Sequence, residues 1–174
     1  SIRARILASF TAHAEPAGRW YRDASAGRRV NTREFAAFGM QLERATFVSA
    51  TYEFRREREG PIERRTYHAR SGRNDLNTSL RGHLPSPRRY REYFSTGSDS
   101  VVVWDQLPPS YSGVTNRPVQ GDEHQDARKR DAELKIARQL ESDIFAGRVP
   151  RGGTLNVYSS QTPCPSCRHA LMAL

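Results

Sequence analysis

The sequence predicts an α/β fold, a layer of helix and strand joined by a crossover connection. Residues 46–55 alternate in polarity and place Val48, Ala50, Tyr52 and Phe54 on one face of a strand. Residues 131–146 repeat apolar side chains at helical spacing, with Ile136, Ala137, Leu140 and Ile144 on one stripe. Gly147 and Gly152-Gly153 stop that helix, and residues 154–159 (Thr-Leu-Asn-Val-Tyr-Ser) read as a strand. A further helix opens at Pro165, where a fixed φ suits a first helical position, and runs through Ala170, Leu171 and Leu174. Helix, strand and helix in this succession suit a crossover unit.

The remaining elements follow in chain order. Residues 2–10 have helical texture, and so do residues 33–44, where Phe35, Phe38, Leu42 and Ala45 recur three and four apart. Gly60-Pro61 signals a turn after the first strand, and residues 62–69 are its hairpin partner. Residues 71–87 carry Gly, Asn, Ser and Pro at loop frequency. Residues 100–105 hold Val101-Val102-Val103-Trp104, short enough for a buried strand. Residues 107–121, with three prolines and two glycines, are loop again. No repeat or long low-complexity tract interrupts the chain.

With 174 residues the chain can bury one core. No apolar run approaches the ~18 residues of a transmembrane helix. Two cysteines cannot make a disulfide scaffold. The chain opens Ser1-Ile2-Arg3, without Met or an apolar signal core, which reads as a piece of a longer protein. The net charge is +9, carried by 26 arginines and only two lysines, Lys129 and Lys135. Such a surface suits a polyanion, most often nucleic acid, because guanidinium forks grip phosphate and stack on bases. Arginine codons of a GC-rich genome would give the same composition without any such demand. Residues 1–120 carry a balance of +8 and residues 121–174 only +1, so the grip on a polyanion is expected mainly from the first two thirds.

The chemistry gathers near the end. Cys164 and Cys167, in Pro163-Cys164-Pro165-Ser166-Cys167, open a helix. The positive end of the helix dipole favours thiolates there, and the spacing suits one metal ion or one redox disulfide. Glu133 lies on the apolar stripe of the preceding helix, where a carboxylate needs a partner or a task. Asp131 stands two residues earlier, where the backbone enters the helix. If the two helices run parallel on one side of a sheet, their N-termini meet. One oxygen and two sulfur ligands would then leave the open fourth position that catalytic zinc needs, with Glu133 placed to move protons.

Asp131-Ala132-Glu133 followed by Pro163-Cys164-Pro165-Ser166-Cys167 resembles the zinc-dependent nucleobase deaminases. The run Asp-Ala-Glu-Leu-Lys-Ile, a strand, then Pro-Cys-Pro-Ser-Cys looks most like the deaminase modules of bacterial polymorphic toxins. The likeness covers about residues 125–174. Its first ligand is Asp131 where the family usually has His or Cys, and only seven residues follow Cys167 where the family fold continues into two more strands. Either the module ends early, with a smaller sheet, or residues 46–105 supply the strands. The resemblance implies a cytidine-deaminase-like stack of α/β/α layers, a mixed sheet and a metal site at two helix N-termini. It implies one domain over 1–174, with a helical extension (1–45) and a deaminase core (46–174). It implies that Asp131, Cys164 and Cys167 hold Zn2+ and that Glu133 shuttles protons while water attacks C4 of cytosine, giving uracil and ammonia. It also implies a secreted effector acting in a target-cell cytoplasm and an acidic cognate immunity protein, with no membrane segment.

The basic excess favours a polymer over a free nucleoside, and single-stranded DNA is the expected substrate, duplex DNA and RNA the alternatives. Arg88, Arg89, Tyr90 and Tyr93 interleave arginine with aromatic rings, as single-strand binders do, and Trp104 could wall a base pocket. Core packing is the competing expectation for these rings. A free cytidine or nucleotide deaminase, and a non-catalytic zinc-stabilised nucleic-acid-binding module, are the other readings of the same pattern. A structural zinc would need a fourth ligand, for which His124 and His169 are the candidates. His13-Ala14-Glu15 matches the usual His-x-Glu more closely, but Pro16 disfavours a continuing helix there and no helix–strand unit adjoins it.

Overall fold

A computed structural model of the chain describes residues 1–25, 33, 39–40, 42, 44–74, 87–104 and 132–160. Helix α1 spans Ile2–Ser25, strand β1 Phe47–Phe54 and β2 Glu63–Arg70. Helix α2 spans Pro87–Glu92, β3 Ser100–Val102, α3 Ala132–Phe145 and β4 Thr154–Ser159. One mixed four-stranded sheet has the order β3-β2-β1-β4. The hairpin β1–β2 is antiparallel, with Val48 opposite Ala69. β4 lies antiparallel on the other side of β1, with Val48 opposite Ser159. β3 pairs parallel with β2, Thr66 to Ser100. Strands from both predicted sources, residues 46–105 and the last third, thus share one sheet. The helix expected from Pro165 to Leu174, Phe35 and Phe38, and the predicted loop 107–121 lie outside the described residues.

Alternation along β1 sorts its side chains between two layers. Val48, Ala50, Tyr52 and Phe54 face α3 and join Tyr67, Ala69, Val101, Ile136 and Leu140 in the main core. The opposite face meets α1, as in the bond from Ser9 Oγ to the Val48 carbonyl (3.0 Å). A second core lies between α1, α2 and β3: Ala17, Trp20 and Ala24 pack on Tyr90, Phe94 and Val102. The result is helix, sheet, helix, as expected.

Two expectations are corrected. α1 does not stop near residue 10 but runs on through Pro16, which lies inside it. An interior proline costs a helix roughly 3 kcal/mol. Burial of Ala17 and Trp20 just beyond it opposes that cost, since a buried large apolar side chain is worth about 1.5–3 kcal/mol. The apolar run Val101–Trp104 is shorter as a strand than in sequence, because pairing with β2 ends at Val102.

Charged groups enter the fold where others neutralise them. Asp143, fully buried in the last turns of α3, accepts four hydrogen bonds. They come from Arg65 Nε (2.9 Å), Tyr67 Oη (2.6 Å), Gln139 Nε2 (3.0 Å) and Arg148 Nε (2.6 Å). Arg65 also donates through Nη1 to the carbonyls of Gly97 (3.2 Å) and Ser98 (2.7 Å), which fixes the turn before β3. Burial, then the bond to Asp143, pushes the Tyr67 phenol well above its ordinary range.

Beneath α1, His13 donates from Nδ1 to the Ser9 carbonyl (2.8 Å), and its Nε2 is buried without a hydrogen-bond partner among the described residues. Burial pulls His13 down from 6.5 to about 3; the Ser9 bond pulls the other way, and Arg70, Lys135 and His68 add repulsion. Burial also lowers His68, whose Nδ1 is likewise unpartnered. Both histidines are therefore neutral in the fold and charge on unfolding. A depressed histidine contributes stability that is complete above its unfolded value and is lost as pH falls below it. Stability should decline from pH 6.5 downward, by up to about 1.4 kcal/mol per pH unit for His13, with His68 acting in the same direction. Denaturant melts between pH 7.5 and 5 measure this, and His13→Gln should flatten the slope over that interval.

Candidate active site

The strand directions bring four chain segments to one end of the sheet. β1 begins there at Phe47, β2 ends at Arg70, β3 leads out through Val103 and Trp104, and β4 ends at Ser159. The N-terminus of α3 lies at the same end. Its first turn carries Glu133, which is 5% exposed. The helix dipole favours a carboxylate at this position. Ser159 Oγ donates to Glu133 Oε1 (3.2 Å), joining the last residue of β4 to the first turn of α3. The even alternation that turns Leu155 and Val157 toward α3 turns Ser159 the same way.

Of the predicted site residues, Glu133 is thus placed at the shared end. Asp131, Cys164 and Cys167 lie outside the described residues, as do His124 and His169. Among the described residues no three His, Cys, Asp or Glu side chains cluster as metal ligands. His13 and Glu15 are no catalytic pair: on α1 the first is buried and the second exposed, so they face different surroundings.

The arginine–aromatic run divides. The Tyr90 ring is 1% exposed and meets Trp20, Phe94 and Trp104 edge to face at 5.0–6.1 Å. Its faces belong to the core, which corrects the expectation that it stacks on a base. Arg89 is exposed, while the Arg88 side chain lies outside the described residues. Tyr93 is half-buried and its Oη donates to Asp23 Oδ2 (2.5 Å). Trp104 is half-buried at the shared end, with the Arg91 guanidinium 5.3 Å from its ring centroid.

Sequence reasoning passes over Ser159, Lys135 and Asn74. Lys135, in the first turns of α3, is fully buried; its Nζ donates to the carbonyls of Arg70 (2.7 Å) and Gly72 (2.6 Å) and to Asn74 Oδ1 (2.8 Å). Asn74 Nδ2 donates in turn to the Val103 carbonyl (3.1 Å). A sequence signal existed for Lys135: an isolated lysine in an arginine-rich chain, one residue before the apolar stripe.

A cleft of about 580 Å3 opens at the other end of α3, lined by Tyr52, Leu140, Glu141, Ile144, Leu155 and Val157 among others. Glu141, buried there, is eight residues from Glu133, about 12 Å along a helix. The cleft is separate from the end that holds Glu133.

The described fold is thus layered α/β, with a buried glutamate at a helix N-terminus. Residues 53–174, more than two thirds of the chain, match the toxin-deaminase model, described as the BURPS668_1122 family of deaminases. The chain belongs to that family and is a deaminase of toxin type. The match begins inside β1, so α1 precedes it. Neither curated proteins nor solved structures gave a match. Among the described residues no helix is long and apolar enough to cross a membrane.

Proposed function

We propose that the chain is a zinc-dependent cytosine deaminase that acts on single-stranded DNA and serves as a bacterial toxin effector. The observation that carries this is the bond between Ser159 and Glu133. Asp131 stands two residues before Glu133, and Cys164 five after Ser159. Five residues of chain span at most about 18 Å, so the predicted ligands leave from two points already joined.

One carboxylate and two thiolates form a donor set that suits zinc and leaves a position open. Asp131, Cys164 and Cys167 would hold it, and zinc there would supply Lewis acidity that makes a water acidic near neutral pH. Glu133 does the proton work. Its carboxylate accepts a proton from the attacking water, passes it to the cytosine ring and helps protonate the departing amino group. Cytosine and water become uracil and ammonia. Ser159 holds Oε1, which fixes the carboxylate's orientation. The exposed Arg89 meets the phosphates, while the Trp104 ring packs on Tyr90 and Phe94 on the α1 side of the sheet. Residues 46–174 form the catalytic core and residues 1–45 an extension, with α1 laid on the sheet. The partners are DNA and an acidic immunity protein, and the site of action is the target-cell cytoplasm.

The test is uracil formation from cytosine in a single-stranded oligonucleotide, a duplex, an RNA and free cytidine, with and without a zinc chelator. Uracil should form fastest in the single strand and cease after chelation. Conversion of cytidine at the oligonucleotide's rate would favour a nucleoside deaminase. Absence of uracil in all four, with a metal held by four protein ligands, would leave a binding module.

A further inference from the structure

Lys135 is a buried cation that the proton chemistry does not use. Its ammonium has three N–H donors, and three oxygens of one segment, those of Arg70, Gly72 and Asn74, converge on it within 2.6–2.8 Å. A compact ammonium suits three convergent acceptors; a planar guanidinium, with its donors in a fixed fork, does not. The chain otherwise chooses arginine at nearly every basic position. The oxygens belong to the segment by which β2 leaves the shared end, and Asn74 continues the link to Val103, next to Trp104. One side chain thus joins the first turns of α3, the β2 exit and the β3 exit.

We propose that Lys135 is a positioning residue that holds the Glu133 turn in register with the wall formed by the β2 and β3 exits. The proposal rests on the deaminase reading of Glu133. Glu133 is two residues from Lys135, so a shift of this turn moves its carboxylate against a bound base. Displacements of about 1 Å at such a group cost on the order of 100-fold in rate. Substrate binding depends on groups outside this turn, so loss of the tie should lower kcat and spare KM.

The test compares the full chain with Lys135→Met, of similar length and without charge, and with Asn74→Leu, which keeps the ammonium and removes one of its acceptors together with the donor to the Val103 carbonyl. Folding is checked by circular dichroism, rates are measured well below each Tm, and amide hydrogen exchange is followed over residues 70–74 and 132–136. Lys135→Met should lower kcat roughly 30- to 100-fold with KM within threefold, and protection should fall in those two segments before others. Asn74→Leu should lower kcat about fivefold with the same split. A folded Lys135→Met with kcat within threefold of the parent, or with activity lost only in proportion to unfolded protein, overturns the proposal. Should Lys135→Met not fold, Asn74→Leu decides, and unchanged kcat overturns it. If the parent chain forms no uracil, the deaminase reading fails, and no proton shuttle is left for Lys135 to position. Unchanged exchange in Lys135→Met would then show separately that the tie is absent.

Discussion

Glu133→Gln should reduce uracil formation by about 100- to 10,000-fold, the range general acid–base catalysis supplies, while the thermal melt changes little. The amide keeps the shape of the side chain and an oxygen for Ser159, which donates at 3.2 Å in the parent. It cannot accept and return a proton. KM should move less than kcat, because the lost interaction belongs to the transition state. Steady-state assays on a cytosine-containing single strand give both numbers. Parent-like turnover in the folded variant would remove Glu133 as the proton carrier. Ser159→Ala is the graded companion: it removes one bond to Oε1 and leaves the carboxylate, so its loss should be far smaller.

Asp143→Ala should destabilise the fold by about 3–5 kcal/mol. It leaves the Arg65 guanidinium, 9% exposed, without its carboxylate, and strips the Tyr67 hydroxyl of its acceptor. Arg148, half exposed, loses its partner too, but water replaces that contact and little is lost there. Asp143→Asn keeps the shape and one accepting oxygen for Arg65 and Tyr67 and should cost less, about 2–3 kcal/mol: the charge is lost, and the NH2 cannot accept the bonds of Gln139 and Arg148. Denaturant unfolding at constant m measures both. A change below 1 kcal/mol for the alanine variant would show that the buried ion pair contributes little.

How much of this is legible in the sequence depends on what each element relies on. β4 and α3 are readable because their periodicity is local: residues 154–159 match the strand as found, and residues 131–146 match the helix to within a residue of Ala132–Phe145. The burial of Glu133 is readable from its place on the apolar stripe, although a role is not contained in burial. The length of α1 is not readable, since its continuation past Pro16 depends on the packing of Trp20 against Tyr90, which a distant segment contributes. The Tyr90 ring is ambiguous for the same reason: an arginine–aromatic run looks alike on a surface or over a core. The parallel pairing of β3, the tie at Lys135 and the layer around His13 are set by residues far apart in the chain, and no local pattern encodes them.

The place of β1 between β2 and β4 also governs when the candidate site comes into being. β1 meets its hairpin partner after a short turn, but the pairing that brings Ser159 to Glu133 closes a gap of more than a hundred residues, as between Phe47 and Ser160, 113 apart. Contacts of such sequence separation form slowly, because chain entropy is lost before they are made. A nascent or refolding chain therefore holds its hairpin while the Glu133 end of the sheet is still unassembled, and the proton transfer proposed for it waits for the docking of β4.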